Sequence, residues 1–527
     1  MTPKALKSQT LMRIAIILVI LILLNIVSVR VFGRLDFTKN DLFTLSDASK
    51  ELVGSLDDMV TVRAFFTEDL PAPYNNNRRA VLDELNEYKA YAKGNLQFEF
   101  IDPSGEKEEQ DAQQQGVSPV QVQVVREDKF EVKRAYMGLV FLYEDKKEVL
   151  PVVQNTSTLE YDISSTIKRL TTRVRKKIGF LTGHGEPDLK GLSRAQQLLG
   201  KQYEITTVDV SKGKPVPSDI AVLIMMAPNT RFPETDKYQI DQYIMNGGRV
   251  AFLLNKVEAN LQQRFGREND INLEDMLGVY GLRINPDLVR DAQCANISIM
   301  QQQFGFNIQS QVPFPLLPLV SNFDKNNMMV KDLEGVVLFF GSSVDTVNLA
   351  TKNLKGEILM RSSKESGRQT NVFVFDPLSQ YTRADFTEHE IPLAAIVWGQ
   401  FKSAFADKPV PVDTSASAIA PSGNTITISQ STRVVLVGDG DFARDQYLGR
   451  ADNLTLFANM VDYLVDDAGL ITIRSKDVTT PPLEQVSDGA KKLIKYGNLV
   501  VPPVLILGYG FIRWRMRRAR KKAMALH

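Results

Sequence analysis

Two short turns combine glycine with residues that could do chemistry. Gly-His-Gly-Glu follows the apolar segment 177–182, and Gly-Asp-Gly-Asp follows the apolar segment 434–437. Histidine and carboxylates can bind a metal or transfer protons, and glycines let the backbone approach a ligand closely. The turns therefore predict a ligand- or partner-binding site formed by six residues. These are Gly183, His184, Gly185, Glu186, Asp439 and Asp441.

A structural interpretation of the same turns is favoured over a catalytic or metal-binding one. The glycines would form tight turns, His184 and Glu186 would cap a helix or meet a partner, and the aspartates would accept hydrogen bonds from loop amides. A metal site needs several ligands, and the chain offers only one other internal histidine, His389. We accordingly predict no metal, no cofactor and no catalytic residue.

Motifs of several enzyme classes are missing from the sequence. There is no G-x-x-x-x-G-K-[ST] motif, so this chain is not expected to hydrolyse ATP, and there is no G-x-S-x-G motif of a serine nucleophile. The only cysteine, Cys294, lies in a segment rich in Gln and Asn, and it excludes an intrachain disulfide. The chain is therefore predicted not to be an enzyme.

The first part of the chain has the pattern of a small α/β domain, predicted over residues 33–155. Alternating strand patterns and amphipathic helix patterns follow one another in the order β-α-β-α-β-β. Pro119 follows a Gly-Val-Ser turn and precedes a strand, which resembles the thioredoxin fold. The redox dithiol of that fold is absent, so only the scaffold is implied.

A second α/β domain is predicted over residues 156–475. Apolar strands alternate with helices, which favours a parallel sheet covered on both faces. Residues 255–330, rich in Gln, Asn and Pro, are predicted to form inserted loops and short helices, and residues 406–428 a second inserted loop. A further helix is predicted around 392–401. The predicted fold class is thus α/β, with two domains in series.

Both ends of the chain carry apolar segments. Residues 11–32 and 496–514 are long enough to cross a bilayer as helices, although the second contains two prolines. Basic residues in 515–527 place that tail in the cytoplasm, and lysines and arginine near the start place residues 1–10 there too. The bulk of the chain would then be extracytoplasmic, in the periplasm of a bacterial inner-membrane protein, with 476–495 as a stalk.

The net charge of the chain is close to zero. Its 63 basic and 62 acidic side chains give a formal charge of +1, which excludes a global electrostatic attraction to nucleic acid. A nucleic-acid role for the basic tail is the weaker alternative, because the tail directly follows an apolar segment.

Several segments together resemble a known family. They are 34–66 (RLDFTKNDLFTLSDASKELVGSLDDMVTVRAFF), 100–103 (FIDP), 177–186 (KIGFLTGHGE), 403–411 (SAFADKPVP) and 434–445 (VVLVGDGDFARD). These segments look like the gliding-motility GldG-like family of ABC transporter auxiliary proteins. The resemblance implies an α/β part similar to class-I glutamine-amidotransferase-like and intraflagellar-transport domains.

The resemblance also implies partners. A polytopic ABC permease and a cytoplasmic ATPase would associate with the chain, a homodimer is possible, and the extracytoplasmic region would bind a substrate or an envelope protein. Two alternatives remain open at this point: an extracytoplasmic hydrolase or amidotransferase-like enzyme that uses the two turns, and a purely structural envelope scaffold.

Overall fold

The computed structural model describes most of the chain between residues 44 and 465. The described ranges are 44–68, 70, 74–126, 129–153, 156, 158–172, 174–260, 262–303, 306–412, 425–448, 451–465 and scattered positions from 471 to 516. The predicted N-terminal span 11–32 lies outside them, as does most of 476–527. The chain divides into two compact units, Met1–Val478 and Thr479–His527. Among the described residues, we find no helix with the length and apolar character needed to cross a membrane.

The first part of the chain contains a four-stranded sheet and four helices. The elements are α1 (Asp47–Gly54), β1 (Val60–Phe66), α2 (Tyr74–Tyr91), β2 (Leu96–Ile101), α3 (Glu106–Gln115), β3 (Val120–Arg126), β4 (Lys129–Ala135), β5 (Met137–Tyr143), β6 (Lys146–Leu150) and α4 (Leu159–Thr171). The strand order in the sheet is β2-β1-β5-β6. β1 runs parallel to β2 and antiparallel to β5, while β3 and β4 form a separate hairpin.

Alternation in β1 explains the core of this region. Val60, Val62 and Ala64 are fully buried, because successive strand side chains point to opposite faces and these three share one face. They pack in one cluster with Leu85 and Tyr88 of α2. The sequence pattern does not predict β4 and β6, since both strands are short and carry several charged residues that weaken the apolar alternation.

The second sheet has eight strands. Its strands and the helices around it are β7 (Lys177–Thr182), α5 (Ser193–Leu199), β8 (Glu204–Asp209), β9 (Ile220–Met226), α6 (Glu234–Met245), β10 (Arg249–Leu253), β17 (Asn322–Phe323), β20 (Lys355–Arg361), β23 (Pro392–Lys402), β24 (Ile428–Val437) and α8 (Asn453–Val465). The strand order is β17-β20-β23-β24-β10-β9-β7-β8. The five strands from β24 to β8 run parallel to one another, whereas the pairs β17-β20, β20-β23 and β23-β24 are antiparallel.

Helices cover both faces of the parallel strands. Ala251 and Leu253 of β10 belong to a cluster with α5 and α8, whereas Val250 and Phe252 belong to a cluster with α6. The strands are therefore apolar on both sides, and this is why they read as nearly continuous apolar runs. The predicted α/β class is confirmed.

Smaller strands and one helix fill the region between β10 and β23. They are β11 (Val257–Asn260), β12 (Phe265–Glu268), α7 (Glu274–Val279), β13 (Leu282–Ile284), β14 (Asp287–Asp291), β15 (Cys294–Gln303), β16 (Phe306–Val320), β18 (Val336–Val337), β19 (Val344–Thr346), β21 (Ser366–Thr370) and β22 (Phe373–Val374). Short 3-10 helices occur at Leu189–Leu192, Ser211–Gly213 and Arg383–Asp385.

Three predictions about this region are wrong. The helix predicted around 392–401 is strand β23, which pairs with β20 on one side and β24 on the other. The sheet is mixed because of these antiparallel strands, not wholly parallel. The described part of residues 255–330 consists mainly of strands, not loops and short helices. A short apolar run fits either a buried strand or a buried helix, so distant pairing partners decide between them.

Candidate functional site

A cleft of about 370 Å³ opens at the carboxyl ends of four adjacent parallel strands, β24, β10, β9 and β7. The parallel strands follow the order 2-1-3-4-5 when numbered along the chain, so the direction in which successive strands are added to the sheet reverses between β7 and β9. Ligands of open α/β sheets bind at such a reversal. The cleft is lined by Gly185, Pro187, Ala227, Pro228, Asn229, Asn255, Val257, Glu258, Ala259, Asn269, Phe339, Phe340, Asp441, Arg444 and Tyr447.

The turn after β7 contributes backbone to the cleft but keeps its ionisable side chains inside the protein. Gly183 and Gly185 have φ of +111° and +79°, a region that favours glycine. A Cβ on Gly185 would also collide with the side chain of Asn229. Only Gly185 of the four turn residues lines the cleft.

His184 is a buried structural residue. Its side chain is 3% exposed, and Nε2 donates to Oδ2 of Asp236 over 3.0 Å. The imidazole stacks on Phe232 with ring centroids 3.8 Å apart. Its carbonyl accepts from the backbone N–H groups of Asn229 and Thr230, both at 3.0 Å. His184 therefore ties the turn after β7 to the loop after β9.

Glu186 caps this turn. Its Oε2 accepts a hydrogen bond from the backbone N–H of His184 at 2.7 Å. Its Oε1 lies 3.9 Å from Nδ1 of His184, and both atoms are buried without a hydrogen-bond partner. Glu186 thus bonds the backbone of its own turn and not, as predicted, the end of a helix, and its carboxylate does not line the cleft.

The turn after β24 depends on very close backbone packing. A Cβ on Gly438 would lie 1.9 Å from the carbonyl oxygen of Ser342, and a Cβ on Gly440 would lie 2.7 Å from the backbone of Ala227. Both distances are shorter than any real carbon contact. Gly438 therefore allows the turn after β24 to touch the segment between β18 and β19, and Gly440 allows it to touch the loop after β9.

Asp439 and Asp441 have different environments although only one residue separates them. Asp439 is fully buried, and its carboxylate accepts from the backbone N–H groups of Phe339 (2.6 Å) and Asp441 (2.7 Å). Burial, together with the charge of Asp441, raises the pKa of Asp439 to about 8, against the effect of these hydrogen bonds. Asp439 fastens a loop and does not line the cleft.

Asp441 is the one predicted acidic residue whose side chain lines the cleft. Its Oδ1 accepts from Nη1 of Arg444 and its Oδ2 from Nδ2 of Asn255, both at 2.7 Å. Asn255 also accepts from the backbone N–H of Gly440 at 2.7 Å. The structure therefore brings Gly185 and Asp441, from the two predicted turns, to one cleft.

The sequence analysis misses the amide and aromatic residues of the cleft. Asn229, Asn255 and Asn269 all line it, and the ring of Phe339 stacks on Tyr447 with centroids 4.0 Å apart. Asn229 and Asn255 lie in the loops just after β9, which ends at Met226, and β10, which ends at Leu253, and polar residues at strand ends are a pattern that could have identified them. Phe339 reaches the cleft only through tertiary packing, so no local pattern points to it.

The charged side chains of the cleft are paired. Asp441 bonds Arg444, and Oε2 of Glu258 lies 2.7 Å from Nη2 of Arg267. The amides of Asn255 and Asn269 also bond other parts of the protein. Because the charges are paired, the cleft suits a ligand without net charge, which would use the remaining hydrogen-bonding capacity of these amides and of Asn229. Among the described residues, no group of three or more His, Cys, Asp and Glu side chains could hold a metal ion.

Comparison with known proteins identifies one similar chain over almost the full length. It is a protein of Borreliella burgdorferi, described as an uncharacterized protein, which is 23% identical over 521 residues, or 95% of this chain and 96% of that protein.

Two solved structures show weak similarity. The mmIFT52 N-terminal domain is 14% identical, with a TM-score of 0.33 over 55% of this chain and 97% of that domain. The exo-beta-1,4-mannosidase Op5Man5 from Opitutaceae bacterium strain TAV5 is 10% identical, with a TM-score of 0.22 over 61% of this chain and 40% of that enzyme. These TM-scores are too low to infer a shared fold.

Two family models match the chain. Residues 39–142 match a domain of unknown function, and residues 175–467 match the family described as an ABC-type uncharacterized transport system. The second match covers more than half of the chain, including every residue that lines the cleft. The chain therefore belongs to the family of auxiliary components of ABC-type transport systems.

Proposed function

We propose that this protein is a non-catalytic auxiliary subunit of an ABC transporter and that its cleft binds an uncharged polar ligand or a polar segment of an envelope partner. The observation that carries the proposal is the cleft at the ends of four parallel strands, within the segment that matches the transport family. Such strand ends are the usual ligand site of doubly wound sheets.

The contacts of the ionisable residues favour binding over catalysis. An acid or base has to reach its substrate to transfer a proton. His184 and Asp439 are buried and bonded to other parts of the protein. Asp441 and Glu258 reach the cleft, but each is paired with an arginine. The described residues of the cleft thus serve better as hydrogen-bonding groups than as a catalytic pair.

Filling the cleft tests this proposal. Ala259 is half-buried and lines the cleft, so Ala259→Trp would place an indole in the ligand space. Val412→Trp is the matched control, because Val412 is 72% exposed and does not line the cleft. We expect mass spectrometry of purified, denatured protein to find a released small molecule or peptide from wild type and Val412→Trp, but not from Ala259→Trp. Absence of any ligand from all three would refute ligand binding.

The same proposal includes membrane attachment and location. Segments 11–32 and 496–514 would cross the inner membrane, residues 33–155 and 156–475 would form two periplasmic domains, and the tail 515–527 would be cytoplasmic. The support is the apolar character of both segments and the basic residues that follow the second.

Cysteine labelling tests this topology. In a Cys294→Ser background, Ser415→Cys should react with a membrane-impermeant maleimide in intact spheroplasts, whereas a cysteine replacing Ala523 should react only after lysis. Labelling of the second cysteine in intact spheroplasts, or protection of the first, would show that the topology is wrong.

The proposed partners are a permease and a cytoplasmic ATPase. The family implies association with transporter components, and the two membrane segments supply the surfaces that would contact the permease. Affinity purification from native membranes should recover both subunits, and deletion of 515–527 together with replacement of 496–514 by an unrelated membrane helix should lose them. Unchanged recovery would contradict docking through this segment. A role in gliding motility stays a prediction from the family resemblance.

A further inference from the structure

Two buried atoms in the turn after β7 face each other without a hydrogen bond. Nδ1 of His184 and Oε1 of Glu186 lie 3.9 Å apart, and neither atom has a hydrogen-bond partner among the described residues. The two side chains are 3% and 2% exposed. Buried polar atoms in native proteins nearly always have a partner, so this pair requires a physical explanation.

Both side chains are held in place by other contacts. The imidazole stacks on Phe232, and its Nε2 bonds Oδ2 of Asp236 at 3.0 Å. The second carboxylate oxygen of Glu186, Oε2, accepts from the backbone N–H of His184 at 2.7 Å. Neither group can turn to another partner without breaking these contacts. Nδ1 and Oε1 therefore face each other because of the fold.

The protonation of the ring decides whether this arrangement is favourable. A neutral imidazole that donates from Nε2 to Asp236 has a lone pair on Nδ1, which would face a buried carboxylate oxygen. Neither atom has surface that a water molecule could contact, so no water separates the two acceptors. An imidazolium instead has an N–H group on both nitrogens and attracts a carboxylate on each side.

The other charged side chains of the neighbouring elements are paired or exposed. Asp209 pairs with Lys214, Glu234 with Lys237 and Arg231 with Asp270, while Lys212 is exposed. The carboxylates of Asp236 and Glu186 are thus the charges that lie next to the ring. Both of them stabilise a positive charge on it.

We propose that His184 is a positioning residue that carries a buried positive charge, with Nε2–H donated to Asp236 and Nδ1–H directed at Glu186. A distance of 3.9 Å is too long for a hydrogen bond, but it is within the range of an ion pair. The two carboxylates come from α6 and from the turn itself. The charge therefore fastens the turn after β7 to helix α6.

This turn in turn positions one wall of the cleft. The backbone carbonyl of His184 accepts from the N–H groups of Asn229 and Thr230, both at 3.0 Å. Asn229 and Gly185 line the cleft. The role in binding rests on the proposed function, whereas the charge on the ring and the position of the loop do not.

Nitrogen NMR of a single histidine tests the charge. The chain contains three histidines, so His389→Gln with His527→Gln leaves His184 alone. Full-length protein with ¹⁵N-labelled histidine is measured by solid-state NMR in liposomes at about pH 7.5, where a free histidine is mostly neutral. We expect signals of the protonated type from both ring nitrogens. One protonated and one unprotonated nitrogen would show a neutral ring and overturn the proposal.

Glu186→Gln separates the charge from the shape of the turn. The new amide can donate to Nδ1 of a neutral ring, while its oxygen still accepts from the backbone N–H of His184. We therefore expect one unprotonated ring nitrogen in this variant and a retained fold. Asp209→Asn is the matched control, because Asp209 pairs with Lys214 and not with the ring. This control should keep both nitrogens protonated, and a fully protonated ring in Glu186→Gln would refute the role of Glu186.

Hydrogen exchange tests the positioning of the loop. In Glu186→Leu the ring loses a counter-charge and the turn loses an acceptor. The amides of Asn229 and Thr230 should then exchange about tenfold faster or more, measured by mass spectrometry of the peptide that contains them. Glu186→Gln and Asp209→Asn should exchange nearly as slowly as wild type. Unchanged exchange in Glu186→Leu would show that Glu186 does not position this loop.

The tests stay decisive in two further cases. If Glu186→Leu does not fold, the ring nitrogens of wild type and Glu186→Gln still decide whether the charge exists and whether Glu186 maintains it. None of these measurements uses a ligand or a transporter partner. Failure of this inference and failure of the proposed function can therefore be distinguished.

Discussion

The two glycine-rich turns at the carboxyl ends of β7 and β24 have similar sequences but different roles. In the turn after β7, both ionisable side chains point into the protein, where His184 binds Asp236 and Glu186 caps the backbone. In the turn after β24, Asp439 points inward but Asp441 faces the cleft. The glycines allow both turns to form. The contacts of the side chain after each glycine decide whether the turn contributes an ionisable group to the cleft or only its backbone.

This comparison teaches that a motif of reactive residue types does not by itself make a reactive site. His184 and Asp439 are buried and hydrogen-bonded to other loops, so both hold loops together, although Nδ1 of His184 has no hydrogen-bond partner. The cleft instead takes its polar surface from asparagines and from one half-buried ion pair, Asp441 with Arg444. The differences between the two turns can be tested through stability and ligand retention.

The largest expected effect concerns the glycines. Gly438→Ala should lower the free energy of unfolding by about 3 kcal/mol or more, because the new Cβ meets the backbone of Ser342, which cannot rotate away. Gly185→Ala should cost less, about 1–2 kcal/mol, because φ is unfavourable but the obstacle is the movable side chain of Asn229. Urea unfolding of purified protein in detergent measures both.

Gly278→Ala is the control for these two substitutions, since a Cβ there has no atom within 4 Å. It should be neutral or raise stability slightly, by up to about 1 kcal/mol, as expected for alanine within a helix. If Gly185→Ala proved more costly than Gly438→Ala, the proposed difference in packing between the turns would be incorrect.

The next effect concerns the partner of His184. Asp236→Ala should destabilise the protein by about 2–4 kcal/mol, because Nε2 of His184 and the backbone N–H of Gly213 both lose their acceptor in a buried place. Asp236→Asn keeps one acceptor oxygen and should cost less. Equal unfolding midpoints for Asp236→Ala and wild type would argue against the fastening role of His184.

A pH effect should distinguish Asp439 from ordinary aspartates. The pKa of Asp439 in the folded protein is raised to about 8, whereas an aspartate in the unfolded chain has its ordinary pKa of 3.8. The folded state therefore holds a proton that the unfolded state releases, and stability should fall as pH rises from about 4 to about 8. Urea midpoints at pH 5, 6.5 and 8 measure this decrease, and Asp439→Asn, which cannot ionise, should reduce it.

If the wild type instead gains stability through Asp439 as the pH rises, the hydrogen bonds to its carboxylate outweigh its burial. In that case Asp439→Asn would lose stability most at the highest pH, because the charged carboxylate would then be the form that stabilises the fold.

The smallest stability effect should come from the cleft itself. Asp441→Ala removes a half-exposed ion pair with Arg444, and water can replace the lost contacts, so the cost should be about 1 kcal/mol or less. Ligand recovered with the purified protein should nevertheless decrease, because Asp441 lines the cleft. A large loss of stability with unchanged ligand recovery would show that Asp441, like Asp439, holds a loop in place and does not bind the ligand.

Much of the local structure could be predicted from the sequence. Strands such as β7, β9 and β10 are short apolar runs bounded by glycine, proline or polar residues, and helix α2 has an amphipathic pattern. The helix predicted around 392–401 is one of the wrong predictions, since the run from Pro392 fits a helix as well as a strand. Its strand identity comes from β20 and β24, whose residues lie tens of positions away in the chain.

The sequence alone determined which residues could turn tightly and which segments would be apolar on both faces, because these properties depend on residue type and spacing. Only the tertiary structure decided that His184 and Asp439 are buried while Asp441 faces a cleft. Side-chain exposure depends on what packs against each residue, and here the packing partners come from loops after other strands. Packing also decides that Asn229 and Asn255, which the sequence analysis does not single out, line the cleft.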